Sequence, residues 1–401
     1  MEISDFFLIF VPITPKTRSI MLKRTLLLMA LMIGFTSTIS AEEQEVQNTQ
    51  QEKEKKTIEL PQWVKNIKFS GYAMLQYQGQ DPEGNHSNTF NLRLARFILD
   101  GKIGDFDWRA QIQGTNATGP GQPTVQLVDL YAEWRRFPEF KIRAGQFKRA
   151  FTFENPTNPI TQGWRGYADV INKLSAFGDR TGERSSGGRD IGIQFQGDLF
   201  PNANGRRVFH YQIGVYNGEG VNTKDYDNRK DIIGGIWVMP IKGLRIGAFG
   251  WTGTRYMTTT QTGYFPHDGF EPQSTGTITM TESVRKNRYA LSAEYSLNDW
   301  TARAEYIHSQ GFAANKDKGD KADGWYALCI APVIKNKLHA KARYDCYRDQ
   351  KTWGSSKTYY EVGADYLFNK NLQLNVEYAR VNERATHQSY NLVDVELDFR
   401  F

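Results

Sequence analysis

From Lys68 to the last residue, apolar and polar side chains alternate in one short segment after another. A period of two places successive side chains on opposite faces of a strand. The C-terminus shows it best. Val393, Val395, Leu397, Phe399 and Phe401 face one way, and Asp394, Glu396, Asp398 and Arg400 the other. Leu372, Leu374, Val376 and Tyr378 alternate with Gln373, Asn375 and Glu377. Leu338, Ala340, Ala342 and Tyr344 alternate with Lys341, Arg343 and Asp345. The phase slips between Leu94 and Phe97, which predicts a bulge there. Continued along the chain, the pattern predicts about 16 strands.

The connections differ in length in a regular way. Short ones at 104–107, 137–139, 240–243, 297–299, 333–336 and 369–370 alternate with longer, polar, glycine-rich ones. The longer ones are 80–88, 118–123, 149–188, 218–229, 257–283, 311–322, 349–356 and 383–388. Short turns on one rim and long loops on the other describe an outer-membrane barrel, with the long loops outside the cell. A soluble sandwich has no reason to segregate its connections in this way. In a closed barrel the charged face, with Glu294, Glu305, Glu361 and Asp365 beside the cations Arg109, Arg143, Arg303, Lys341 and Arg343, lines a wet lumen. The fold expected is therefore all-β: a transmembrane antiparallel β-barrel whose long third extracellular loop folds into the lumen.

Composition narrows the class. A mean hydropathy of −0.58 with 23% charged residues excludes a helical membrane protein, since a spanning helix needs roughly 18 consecutive apolar residues. At the N-terminus, Lys23 and Arg24 precede an apolar stretch at 26–35 and small residues at 37–41. That order describes a secretory signal cleaved near Ser40 or Ala41, with Met21 as the natural start. Residues 1–41 are then upstream segment and signal, 42–64 a polar periplasmic leader, and 65–401 the barrel. The leader is too short to form a plug domain. The two cysteines, Cys329 and Cys346, fall in neighbouring strands. A turn at 333–336 sets Cys329 opposite a residue near Ala340, so the sulfurs lie roughly 20 Å apart at about 3.3 Å per residue and no disulfide is expected.

The longest connection carries the candidate chemistry. Residues 148–189 hold Lys148, Arg149, Arg165, Lys173, Arg180, Arg184 and Arg189 against Glu154, Asp169, Asp179 and Glu183, a net charge of +3. Residues 167–174 predict a short helix within it. Folded inward, the segment places excess cations at the pore constriction, where arginine and lysine favour anions and arginine offers phosphate a fork of donors. The alternative is that these charges pair with one another and only hold the loop in place.

Three segments carry a family resemblance: 127–131, Arg-Ala-Gly-Gln-Phe-Lys-Arg-Ala-Phe at 143–151, and Gly-Arg-Asp-Ile-Gly-Ile-Gln-Phe-Gln-Gly at 188–197. From about residue 65 onward the chain resembles the phosphate-selective porin O and P family. The resemblance implies 16 strands, a constricting third loop and three barrels per assembly. It marks Gln146, Lys148, Arg189 and Asp190 as pore or loop-anchoring positions. Two features depart from the family pattern. Ala150 stands where a proline is common, and no dense run of arginines is present.

Enzyme chemistry finds no support in the sequence. The six histidines form no H-E-x-x-H spacing, and no glycine-rich phosphate loop occurs; neither a metal nor a cofactor is expected. The net charge of +6 falls to 46 − 42 = +4 without residues 1–41, too mild to imply nucleic-acid binding. Two functions remain: a passive porin for small hydrophilic solutes and ions, leaning toward anions or phosphate, or a structural or adhesive barrel whose surface loops bind partners. Either implies outer-membrane lipid and the barrel-assembly machinery as partners, with terminal Phe401 as an assembly signal, and the porin reading implies a homotrimer.

Overall fold

Strands that alternate in this way leave one polar and one apolar face, and closure satisfies every edge. A computed structural model describes residues 66–115, 125–175, 177–181, 187–265, 274–311 and 320–401. The signal, the leader, the 118–123 loop and Arg184 lie outside the described residues. Sixteen strands close in chain order into one antiparallel barrel, β16 returning to pair with β1. They are β1 (Lys68–Gln80), β2 (Ser87–Ile103), β3 (Phe106–Gly114), β4 (Val125–Phe137), β5 (Phe140–Lys148), β6 (Arg189–Pro201), β7 (Arg207–Tyr216) and β8 (Asp231–Val238). Then follow β9 (Leu244–Phe265), β10 (Ser274–Leu297), β11 (Trp300–Gly311), β12 (Lys321–Ile334), β13 (Leu338–Arg348), β14 (Ser356–Asn369), β15 (Leu372–Glu383) and β16 (Gln388–Arg400). Two short helices, α1 (Pro159–Gln162) and α2 (Asp169–Leu174), lie between β5 and β6.

The two faces divide as the alternation requires. Leu75, Phe97, Leu291 and Val362 on the outer face are each half or more exposed, while Asp394, Glu396 and Asp398 on the inner face are buried. An apolar belt of this extent is stable only against hydrocarbon. No helix among the described residues is long and apolar enough to cross a membrane; the strands cross instead. At the seam the Phe401 N–H donates to Gly71 O at 3.0 Å and the Gly71 N–H to Phe401 O at 2.9 Å. The Phe401 ring packs against Phe69 and Phe97 in tilted contacts, with centroids 5.9 and 5.8 Å away. A Cβ on Gly71 would sit 2.4 Å from that ring, so closure depends on glycine there.

Three sequence expectations need correction. The segment 257–283 is largely strand, because β9 and β10 run on as a hairpin pairing from Leu244↔Tyr295 to Phe265↔Ser274. Its threonines and aromatics favour extended backbone, and polar side chains do not prevent pairing beyond the membrane. The bulge in β2 lies at Arg93, since Met74 opposes Leu94 and Leu75 opposes Leu92. Arg93 reaches Glu396 at 2.8 Å. Cys329 opposes Ala342, two residues from the position expected, because the strands pair as far as Ile334↔Leu338 and the turn lies at 335–337 instead of 333–336. Both cysteines are unbridged, Cys329 exposed and Cys346 buried.

Candidate functional site

Strand β5 ends at Lys148 and β6 begins at Arg189, at the boundaries the alternation implied. The neck of the intervening loop is closed by the Arg149 N–H on Gly188 O at 2.8 Å. Gly188 has a φ of +75°, and a Cβ there would meet the Asn155 side chain at 2.3 Å. From the neck the chain runs across inward-facing side chains of distant strands. Glu305 of β11 accepts the N–H groups of Phe153 and Glu154 at 2.9 and 2.8 Å. Ile160 of α1 packs with Tyr72, Met74, Leu94 and Ile98 from β1 and β2. Lys341 donates to Gly163 O and Arg343 to Gly166 O, both at 2.8 Å.

The middle of the loop forms a core. Trp164, Val170, Ile171 and Leu174 join Phe249, Trp251, Ile307 and Tyr326 of the wall in one buried cluster. In sequence Val170, Ile171 and Leu174 read only as part of a short helix, because their partners lie more than seventy residues away. Helix α2 spans Asp169–Leu174, two residues shorter at its start than expected. Its Asp169 N–H donates to Asp345 of β13.

The charges pair across the loop–wall boundary. Arg165 meets Glu361 at 2.9 Å, and its N–H donates to Glu377. Arg180 meets Asp320 at 2.7 Å, and Asp179 receives both guanidinium nitrogens of Arg288 at 2.5 and 2.9 Å. Glu154 lies 3.8 Å from Arg303, which also meets Glu294. Lys341 meets Glu377 at 2.7 Å, and Arg343 meets Glu361. Burial acts to raise the Asp179 carboxyl, but Arg288, Lys286 and the Thr181 N–H outweigh it and hold the group well below the usual carboxylate range. Asp169 is raised, because burial outweighs Lys173, Lys357 and Arg165. Lys173 sits in the last turn of α2.

A cavity of about 320 Å³ opens between the first residues of the loop and the inner wall of β3–β9. Its lining includes Arg109, Arg143, Lys148, Arg149, Arg189 and Arg245, with Asp129 as the one carboxylate. The carboxylates that pair with Arg109, Arg143 and Arg245 are not among its lining residues. Arg109 meets Asp100 at 2.7 Å, Arg143 meets Glu133 at 2.6 Å, and Arg245 meets Glu294 at 2.8 Å. Arg189 holds Asp129 by two hydrogen bonds of 2.7 and 2.9 Å. Lys148 donates to Asn155 O, Thr157 O and the Tyr167 hydroxyl, all at 2.7 Å. Arg149 lies 4.5 Å over the Trp251 ring and 3.9 Å from Asp190.

Gln146 does not line this cavity. Its amide donates to Leu127 O and Val128 O and engages Asn222, while Asp190 accepts the Gly218 N–H at 2.9 Å. These two residues therefore tie the 217–230 loop to the rim. Arg245, Gln194, Gln196, Gln212, His210 and Trp237 line the cavity without having been singled out. All six lie on strands, and continuing the inward parity of β6 to β9 would have found them.

Comparison with known proteins agrees with this architecture. Residues 67–230 match the family "Phosphate-selective porin O and P", and residues 253–386 match "Gram-negative porin". No curated protein sequence matches the chain significantly. Among solved structures the chain is similar to the anion-selective porin from Comamonas acidovorans, with a TM-score of 0.59, 13% identity, and coverage of 84% of this chain and 99% of that one. It is also similar to Salmonella typhi OmpF in complex with daunomycin, with a TM-score of 0.57, 13% identity, and coverage of 83% and 97%. A trimer form of OmpT from Vibrio cholerae gives a TM-score of 0.53 at 10% identity, covering 84% and 99%. At these identities the structural likeness is one of fold. The two family matches together cover most of the barrel, and both families are channels rather than enzymes. The chain is a porin of the Gram-negative outer membrane, a channel for passive diffusion whose residues 67–230 match the phosphate-selective porin O and P family.

Proposed function

We propose that this porin favours small anions, phosphate among them, and that they pass along the basic cavity beside a loop that narrows the lumen. The observation that carries the reading is the arrangement of charge: Arg109, Arg143 and Arg245 line one cavity whose only lining carboxylate is Asp129, and their partners Asp100, Glu133 and Glu294 do not line it. Low-dielectric walls focus such a field, and salt screens it less there than in open water. Gln194, Gln196 and Gln212 add neutral donors beside the guanidinium groups. An anion can exchange water for these donors without displacing a buried ion pair.

The test is reversal potential across a salt gradient in a planar bilayer. Replacing Arg143 and Arg245 by glutamate moves selectivity toward cations, with conductance of the same order of magnitude. An unchanged reversal potential in a folded double variant overturns the reading.

The proposal extends to processing and assembly. Cleavage at about Ser40 or Ala41 is tested by the mass of the mature chain, and a homotrimer by native mass. Phe401 serves as the assembly signal, so its deletion lowers the yield of folded, heat-modifiable protein; an unchanged yield counts against that role.

A further inference from the structure

One group on the cavity wall differs in kind from its neighbours. His210 of β7 lines the cavity among arginines, a lysine and glutamine amides. Its ring lies on Trp237 of β8, 3.9 Å between centroids and 15° from parallel. Its Nδ1 sits 2.7 Å from Asp198 Oδ1. Asp198 of β6 is not a lining residue. It also takes the Lys141 ammonium of β5 at 2.9 Å, and Arg207 donates to its backbone carbonyl. The stack fixes the plane of the ring and the carboxylate fixes its rotation, which leaves the Nε2 edge to the cavity. The side chain is 12% exposed, and Nε2 has no hydrogen-bond partner among the described residues. An unpaired buried polar atom is costly, so a solute that supplies the missing bond is favoured there.

What Nε2 offers follows from Asp198. An ionised carboxylate only accepts hydrogen bonds, so in the neutral imidazole Nδ1 carries the hydrogen and Nε2 presents a lone pair. The cations that line the cavity can only donate. Three acceptors beside them are engaged. Asp129 holds Arg189 through both oxygens, Gln194 Oε1 accepts the Tyr216 hydroxyl, and Gln196 Oε1 accepts the Gln194 amide. Chloride and sulfate have no hydrogen to give. Hydrogen phosphate keeps one hydroxyl beside its anionic oxygens.

We infer that His210 is a specificity residue of the anion path, whose Nε2 accepts the hydroxyl of hydrogen phosphate and so favours oxyanions that retain a proton over sulfate. The guanidinium groups of Arg143 and Arg245 attract the charged oxygens. Charge alone does not tell two dianions of similar size apart. A buried acceptor does, because sulfate leaves it unpaired and sets an oxygen lone pair against it. This inference rests on the cavity being the anion path, and it concerns only the choice among anions.

The test uses the full barrel in a planar bilayer, carrying chloride current in alkaline solution, where histidine side chains are neutral and phosphate and sulfate are both dianions. Hydrogen phosphate, sulfate and monofluorophosphate, in which fluorine replaces the hydroxyl, are added in turn. In wild type, hydrogen phosphate halves the current at a concentration roughly two- to tenfold below the other two, the span of one hydrogen bond. His210→Phe keeps a ring on Trp237, removes the acceptor and brings the three concentrations together. Equal block by hydrogen phosphate and monofluorophosphate in wild type overturns the inference, as does an unchanged ratio in the folded variant. If the variant does not fold, the wild-type order of the three anions decides. A wild-type channel that prefers potassium to chloride overturns the anion path and the inference with it, whereas equal block in an anion-preferring channel overturns the inference alone.

Discussion

The inner wall of β3–β9 and that of β10–β16 are built from the same kinds of side chain yet behave differently. On β10–β16, cations and carboxylates are drawn into direct contact with the loop. Arg288 takes Asp179, Glu361 takes Arg165, and Trp164, Val170 and Leu174 seal the joint. On β3–β9 the first residues of the loop pack on Phe249 and Trp251 of β9 and leave a cavity that Arg109, Arg143 and Arg245 line while their partners Asp100, Glu133 and Glu294 do not. Charge that is paired across a packed joint holds the loop, and charge that borders open space acts on a passing ion. A net count of +3 for the loop could not separate the two.

The largest effect should come from breaking the packed joint. Arg288→Ala leaves the buried Asp179 without its salt-bridge partner, and removing one member of a buried pair costs roughly 3–5 kcal/mol. The loop should then become protease-sensitive, and single-channel recordings should show frequent closures. A quiet, protease-resistant channel would mean that the apolar cluster alone holds the loop.

Acidification tests the same joint by titration. The depressed Asp179 carboxyl contributes stability above its unfolded value of about 3.9, and this is lost only as pH falls through its still lower folded value. The raised Asp169 has the opposite sign. Its contribution is complete below the unfolded value and is lost as pH rises through the raised one. Mild acidification from neutral should therefore tighten α2 while leaving Asp179 ionised, and closures should become rarer until strongly acidic pH. Closures that increase steadily from pH 7 to 4 would contradict both assignments.

The smallest effect on selectivity is expected from Arg165→Gln. Because Arg165 is spent on Glu361 in the packed half, this change should weaken docking yet leave the reversal potential nearly where it was. A shift as large as that of the Arg143 and Arg245 variant would erase the distinction between the halves.

Much of this molecule was legible along the chain. Alternation set the strands, their number and the limits of the β5–β6 loop, since each depends on neighbours two residues apart. It marked Arg109, Arg143, Arg303, Lys341 and Arg343 as inward-facing. It misjudged 257–283, where threonine-rich strands leave the membrane and polarity no longer separates strand from loop.

Pairing was not legible. Arg165 finds Glu361 and Asp179 finds Arg288 because closure brings strands far apart in sequence against one loop. A local reading offered only Glu154, Asp169, Asp179 and Glu183 as partners for the loop cations. The burial of Trp164 and Ile171, and the choice of which cations face the cavity, arise in the same way. Local periodicity determined which way each strand side chain points; only closure of the barrel decided what it meets, because those contacts join residues whose separation in sequence leaves no periodic trace.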